Sequence, residues 1–206
     1  MMCRSKVFAL LFALLLAGCS KSPEVQETKK TEPAPVVVAK TFKVRLTTSQ
    51  GPVVIEVHPD WAPRGAARFE ELVKDKFYDG ARFFRIVPNF VVQFGLAAKP
   101  AMTAKWDKSI DDDPVTQTNR TGSLSFATMG KNTRTSQVFI NLKSNQNLDL
   151  KGFTPFAQVI EGMDVVEKFY RGYGEQPDQE AITKQGNAYL MAKFPKLDYI
   201  KTAEIF

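Results

Sequence analysis

From Thr41 onward apolar and polar residues alternate, with Phe42, Val44 and Leu46 on one face and Lys43, Arg45 and Thr47 on the other. A period of two is that of a strand with one side buried. Ser49-Gln50-Gly51-Pro52 interrupts the run and Val53, Ile55 and Val57 resume it, which predicts an antiparallel hairpin. The period then lengthens. After the start signals Asp60 and Pro63, Ala66, Phe69, Leu72 and Val73 recur at helical spacing to about Lys76, and Asp79-Gly80 closes the segment. Further strands are expected at Arg82–Val87, Phe90–Phe94, Ser123–Ala127, Val138–Leu142, Pro155–Ile160 and Leu197–Phe206. A short helix is expected over Met163–Phe169. Another amphipathic stretch opens at Pro177-Asp178-Gln179-Glu180 and runs to about Lys193 despite Gly186. Many short antiparallel strands with few helices predict a mainly β fold that closes into a barrel, because closure removes the exposed edges of a sheet.

The amino end follows a different pattern. Arg4 and Lys6 precede the apolar run Val7–Ala17, which meets Gly18-Cys19. As a helix that run rises only about 16 Å, against a hydrocarbon core of roughly 30 Å, so it reads as a signal peptide and not as a permanent span. Leu16-Ala17-Gly18-Cys19 resembles the lipobox of bacterial lipoproteins, which implies cleavage before Cys19 and acylation of that residue. Several acyl chains on one residue exceed the two signals needed for stable anchoring. Ser20–Lys40 mixes Lys, Glu, Thr, Ser and Pro without an apolar period before Val36, and reads as a tether. Three parts are therefore expected: a lipoprotein signal peptide over 1–18, acylated Cys19 and a tether over 19–40, and a folded domain over 41–206. The expected location is the bacterial cell envelope, with the domain facing the periplasm or the exterior.

Composition narrows the chemistry. The chain carries 28 Lys+Arg, 22 Asp+Glu, one His and two Cys in 206 residues. One His and two Cys do not supply a four-ligand zinc site without carboxylates, and Cys3 leaves with the signal peptide, so no disulfide is expected. Loss of Arg4 and Lys6 lowers the net charge from +6 to +4, and the excess forms no basic stripe, so no nucleic-acid partner is expected. Ser123, Ser125 and Ser136 lack a nucleophile elbow and a placed His, which disfavours a hydrolase. His58, at a strand end before Pro59, is expected to be exposed and without a role. Asp111-Asp112-Asp113 does not have calcium-loop spacing and reads as a solvated acidic turn.

Phe83-Phe84-Arg85-Ile86-Val87-Pro88-Asn89-Phe90-Val91-Val92-Gln93-Phe94-Gly95 resembles the signature of cyclophilin-type peptidyl-prolyl isomerases. Gly122–Ala127, Asn132–Ile140, Leu148-Asp149 and Phe156–Val159 resemble later family motifs, in the family's order. The resemblance covers Phe42 to about Tyr170 and implies a closed eight-stranded antiparallel barrel with two or three flanking helices and a groove on its outside. It implies an enzyme that turns X-Pro bonds in proline-containing polypeptides, as a monomer, with no cofactor and no metal.

Rotation about an X-Pro amide breaks no covalent bond. Its barrier of about 18–20 kcal/mol comes from amide resonance and falls when the nitrogen lone pair is drawn from the carbonyl. A fixed donor beside that nitrogen suffices, and Arg85 is the candidate, always charged and planar. Gln93, eight residues on, is expected to orient Arg85 or bind substrate. The resemblance assigns Phe90, Val91, Phe139, Leu148 and Phe153 to the proline pocket, Ala127 and Thr128 to the groove, and Gln137 to its polar rim. Departures are Asn147 where many members have tryptophan and Phe153 where a histidine is common. Leu96–Arg120 and Glu175–Lys196 match no motif. The alternative reading is a non-catalytic proline-peptide-binding or chaperone-like envelope lipoprotein.

Overall fold

A computed structural model describes residues 40–206. The expected signal peptide, Cys19 and nearly all of the tether lie outside the described residues. Eight strands form one antiparallel sheet: β1 (Phe42–Thr48), β2 (Pro52–Val57), β3 (Arg85–Val87), β4 (Val91–Phe94), β5 (Ser123–Phe126), β6 (Val138–Asn141), β7 (Pro155–Glu161) and β8 (Ile200–Ile205). Their order is β3-β4-β6-β5-β7-β2-β1-β8. The first hairpin follows the sequence period: Phe42 faces Val57 and Thr47 faces Pro52, Val44 and Leu46 are buried, and Lys43 and Arg45 are exposed. Five α-helices are described, more than the two or three expected: α1 (Pro63–Lys74), α2 (Pro100–Lys105), α3 (Met163–Glu167), α4 (Gln179–Gln185) and α5 (Asn187–Lys193).

The ladder does not close. β3 and β8 remain its two ends, and among the described residues the gap between them is crossed by the segment ahead of β3. Arg82 bridges Tyr199, Phe83 N donates to the Asp198 carbonyl at 3.0 Å, and Ile200 N donates to the Ala81 carbonyl at 2.9 Å. The expected strand Arg82–Val87 is thereby shortened to β3. The cause is local: Phe83 is buried in the main core and its neighbour Phe84 in a second apolar cluster, so this stretch divides two cores. The sheet is a curled, open eight-stranded half-barrel.

Phe69, Leu72 and Val73 of α1 fill the main core with Phe94, Phe126 and Phe156; the Phe69 and Phe156 rings lie 5.1 Å apart. The N-terminus of α1 has no side-chain cap from its own segment. Asp113 supplies one from 48 residues away, accepting from the backbone N–H of Gly65 at 2.9 Å and of Arg64 at 3.1 Å. Arg134 lies 3.2 Å from the same carboxylate. The acidic turn is thus not uniformly solvated, since Asp113 is buried at a helix start, where its carboxylate oxygens accept from backbone N–H groups that have no partner within the helix. His58 is also less exposed than expected: it stacks on Trp61 at 3.8 Å and lies 3.1 Å from Glu56.

The second cluster contains Phe84, Leu96, Ile182, Leu190 and Leu197, with Tyr173, Tyr189 and Phe194 packed on it. Its helices differ from the single stretch expected between Pro177 and Lys193. Asp178 caps α4 by accepting from Ala181 N at 2.7 Å, and the helix stops at Gly186, where φ is +59°. A Cβ at Gly186 would lie 2.3 Å from the Ala98 carbonyl oxygen, so glycine both permits the turn and lets α5 start against the loop carrying α2.

Candidate active site

β3 and β4 pair so that Arg85 faces Gln93, which turns a spacing of eight residues into a side-by-side contact. Arg85 Nη1 donates to Gln93 Oε1 at 3.1 Å, and Gln93 Nε2 donates to Gln137 Oε1 at 2.8 Å. β4 pairs next with β6, setting Gln93 opposite Phe139. The Ala127 N–H, just past β5, donates to the Gln137 carbonyl at 2.9 Å. A polar row therefore crosses the outside of the sheet beside an apolar patch.

That patch is a cluster separate from both cores. Val91, Phe139 and Leu148 are buried in it, and Phe90, Ala127 and Phe153 pack against them. The Phe139 and Phe153 rings meet edge to face at 5.6 Å. Leu148 sits on a 3₁₀ turn over Gln146–Lys151, which Gly152 ends at φ +82°. Asparagines hold this turn against the sheet: Asn145 Nδ2 donates to the Phe90 carbonyl at 3.0 Å, and Asn119 Nδ2 donates to Asp149 Oδ1 at 2.7 Å and to the Phe153 carbonyl at 2.8 Å. Asn119 is fully buried, and Ser125 Oγ donates to its Oδ1 at 2.8 Å. A buried network with its donors and acceptors paired fixes the side chains that it supports.

The groove holds about 730 Å³ and is lined by all ten residues assigned to it: Arg85, Phe90, Val91, Gln93, Ala127, Thr128, Gln137, Phe139, Leu148 and Phe153. Thr128 shares a hydrogen bond of 2.7 Å with Thr133 in the loop that forms one lip. Asn147, on the 3₁₀ turn, is exposed. The three serines stand apart from any nucleophile arrangement; Ser123 Oγ donates to the Arg120 carbonyl and Ser136 Oγ to the Gly95 carbonyl.

Sequence reasoning missed several residues of the site. Asp107 and Ser109 line the groove from the Leu96–Arg120 stretch, and Gln179 lines it from the start of α4. Glu175 contacts Arg85 directly, accepting from Nε at 2.6 Å. None belongs to a motif, and their only signal was the extra length of the two segments. Asn119, Asn141 and Asn145 were equally silent as isolated loop or strand-end residues.

The arrangement offers a guanidinium with a fixed plane beside a pocket that accepts an apolar ring, and backbone groups along a groove suited to an extended chain. A family model described as cyclophilin type peptidyl-prolyl cis-trans isomerase/CLD matches residues 43–187. The peptidyl-prolyl cis-trans isomerase of Acinetobacter baylyi is 37% identical over 133 residues, covering 61% of this chain and 70% of that protein. Peptidyl-prolyl cis-trans isomerase ppi1 of Schizosaccharomyces pombe is 37% identical over 132 residues, covering 61% and 83%. Peptidyl-prolyl cis-trans isomerase-like 2 of Gibberella zeae is 36% identical over 139 residues, 65% of this chain, which spans only 24% of that longer protein. A solved cyclophilin-type isomerase of Cryptosporidium parvum, crystallised in the presence of the dipeptide Ala-Pro, shares the fold with a TM-score of 0.61 at 22% identity, over 80% of this chain and 98% of that one. With motifs in family order and a family match across most of its described domain, the chain belongs to the cyclophilin-type peptidyl-prolyl cis-trans isomerases.

Proposed function

We propose that this chain speeds rotation about X-Pro bonds in exported polypeptides, with Arg85 as the donor that favours the twisted amide. The observation that carries this reading is the row Arg85, Gln93, Gln137 laid against the apolar cluster of Val91, Phe139 and Leu148. The cluster takes the proline ring, with Phe90 and Phe153 as walls. Ala127 and Thr128 offer backbone groups to an extended substrate, and Gln93 holds the Arg85 plane. A guanidinium aimed at the amide nitrogen interacts more strongly with the twisted state than with either planar one, and that difference is what accelerates the reaction.

The same reading places the protein in the bacterial envelope as a monomer, anchored through lipid on Cys19. Its support is the apolar run Val7–Ala17 followed by Leu16-Ala17-Gly18-Cys19 and the polar tether. Uncatalysed proline isomerisation takes tens of seconds or more, long enough for exported chains to gain from its acceleration.

The test is an isomerisation assay on a proline-containing peptide. Arg85→Ala should lower kcat/KM at least about tenfold, equivalent to roughly 1.4 kcal/mol of transition-state stabilisation, with circular dichroism unchanged. Full activity in that variant would remove Arg85 from the mechanism, and an inactive wild type that still binds the peptide would favour a non-catalytic binding module. For the anchor, Cys19→Ser should abolish lipid labelling and leave isomerase activity intact; an unlipidated mature wild type would overturn the envelope assignment alone.

A further inference from the structure

Arg85 has two partners, and they come from different parts of the chain. Gln93 faces it across the β3–β4 ladder, whereas Glu175 arrives 90 residues downstream. Nε donates to Glu175 Oε1 at 2.6 Å and Nη2 lies 2.6 Å from the same oxygen, while Nη1 donates to Gln93 Oε1 at 3.1 Å. A guanidinium carries its five N–H donors in one plane. Partners on two of its edges stop that plane from turning, and uncommitted Nη hydrogens remain on a residue that lines the groove.

The position of Glu175 is built, not incidental. Ile86 N, in β3 next to Arg85, donates to the Gly174 carbonyl at 3.1 Å, which ties the residue before Glu175 to the strand. On the other side, Gln176 N donates to the Tyr173 carbonyl at 2.9 Å, and the Tyr173 ring packs edge-on to Phe194 of the second cluster at 5.1 Å. Four residues beyond Glu175, Gln179 lines the groove itself. The Glu175 side chain is 61% exposed, so its pair with Arg85 adds little to folding. Its consequence therefore falls on the direction of the guanidinium.

We propose that Glu175 is a positioning residue for the isomerase reaction, and that the second cluster serves to deliver it to Arg85. The proposal rests on the reading of Arg85 as the donor. Held by Glu175 and Gln93, the guanidinium meets the twisting amide without first reorganising, which is where a preorganised donor gains over a mobile one. The interaction is made in the transition state, so its loss should appear in kcat more than in KM.

The experiment uses the full chain with Glu175→Ala, Glu175→Gln and Arg85→Ala, and a proline-containing peptide as substrate. Glu175→Ala should lower kcat about fivefold, the upper range for an exposed charged pair, with KM within about twofold. Glu175→Gln keeps the shape and an acceptor oxygen and should recover part of the loss. The ¹⁵N–¹H resonance of Arg85 Nε should be distinct in the wild type and should shift or broaden in Glu175→Ala. Added to Arg85→Ala, Glu175→Ala should cost nothing more. Unchanged kcat in Glu175→Ala, or the same fractional loss with and without Arg85, overturns the proposal. A purely structural role would instead lower Tm and leave the kcat/KM split and the resonance unmoved. An Arg85→Ala variant with full activity would defeat the donor reading and this inference with it, although the resonance would still report the Glu175 contact.

Discussion

The two cores of the domain are built in different ways. The larger is enclosed by strands that pair along one ladder and by α1, and its aromatic side chains Phe69, Phe94, Phe126 and Phe156 are all buried. The smaller has no strand of its own: Phe84, Leu96, Ile182, Leu190 and Leu197 come from separated stretches and meet between α4, α5 and the loop carrying α2. The first builds the sheet on which the groove lies. The second carries Glu175 and Gln179 to the groove's side. Comparing them teaches that, in this chain, the ordered motifs supply the groove's apolar pocket and one partner of its central arginine, while unpatterned segments add part of the lining and the second partner.

If the main core supplies most of the stability, Phe156→Ala is the most damaging change on either side of the comparison. Its ring is fully buried between Phe69 and Phe126, and truncation should cost about 3–5 kcal/mol in denaturant unfolding. A loss below about 1 kcal/mol would show that the large core is not what holds the domain.

The second cluster is sharpened by Leu190→Ala. Leu190 is buried on α5, and truncation should cost about 2 kcal/mol, the low end for a core leucine because the small cluster can collapse into the gap. Hydrogen exchange should quicken in α4 and α5 while β-ladder amides keep their protection, since separate clusters open as separate units. Uniform acceleration through the sheet would mean that the two cores are one cooperative body.

The smallest effect lies at the join. Lys105 Nζ and Trp106 Nε1, at the end of α2, donate to Asp75 Oδ2 at 2.6 and 2.7 Å, tying that loop to the end of α1. These donors, Lys105 foremost, hold the Asp75 carboxyl below its ordinary 3.8. A carboxyl depressed in the folded state stabilises above its unfolded pKa and loses that contribution as pH falls through the folded value. The Tm of the wild type should thus exceed that of Asp75→Asn at pH 6, and the gap should narrow on acidification below about 4. A gap that is constant with pH would mean that the ion pair contributes nothing to the join.

Particular residues mark where reading stopped. Arg85 and Gln93 were legible as a pair because eight residues around a tight turn return a strand to face itself, and the β3–β4 register does so. Asp113 was misread because nothing in three consecutive acids tells that one will meet a helix N-terminus and Arg134 far along the chain. At Gly186 the contact that demands glycine is with the Ala98 carbonyl, 88 residues earlier in the chain, and no neighbouring residue announces it.

The sequence by itself determined the strand faces and the hairpin through periodicity and short-range spacing, and the order of its motifs supplied, by family resemblance, ten of the residues that line the groove. Tertiary structure alone decided that the sheet stays open between β3 and β8, that Asp113 is buried as a cap, and that Glu175 meets Arg85. The reason is physical. Alternation specifies which side of a strand seeks the core, but a contact between residues 90 positions apart depends on where the intervening chain packs, and no local pattern encodes that return.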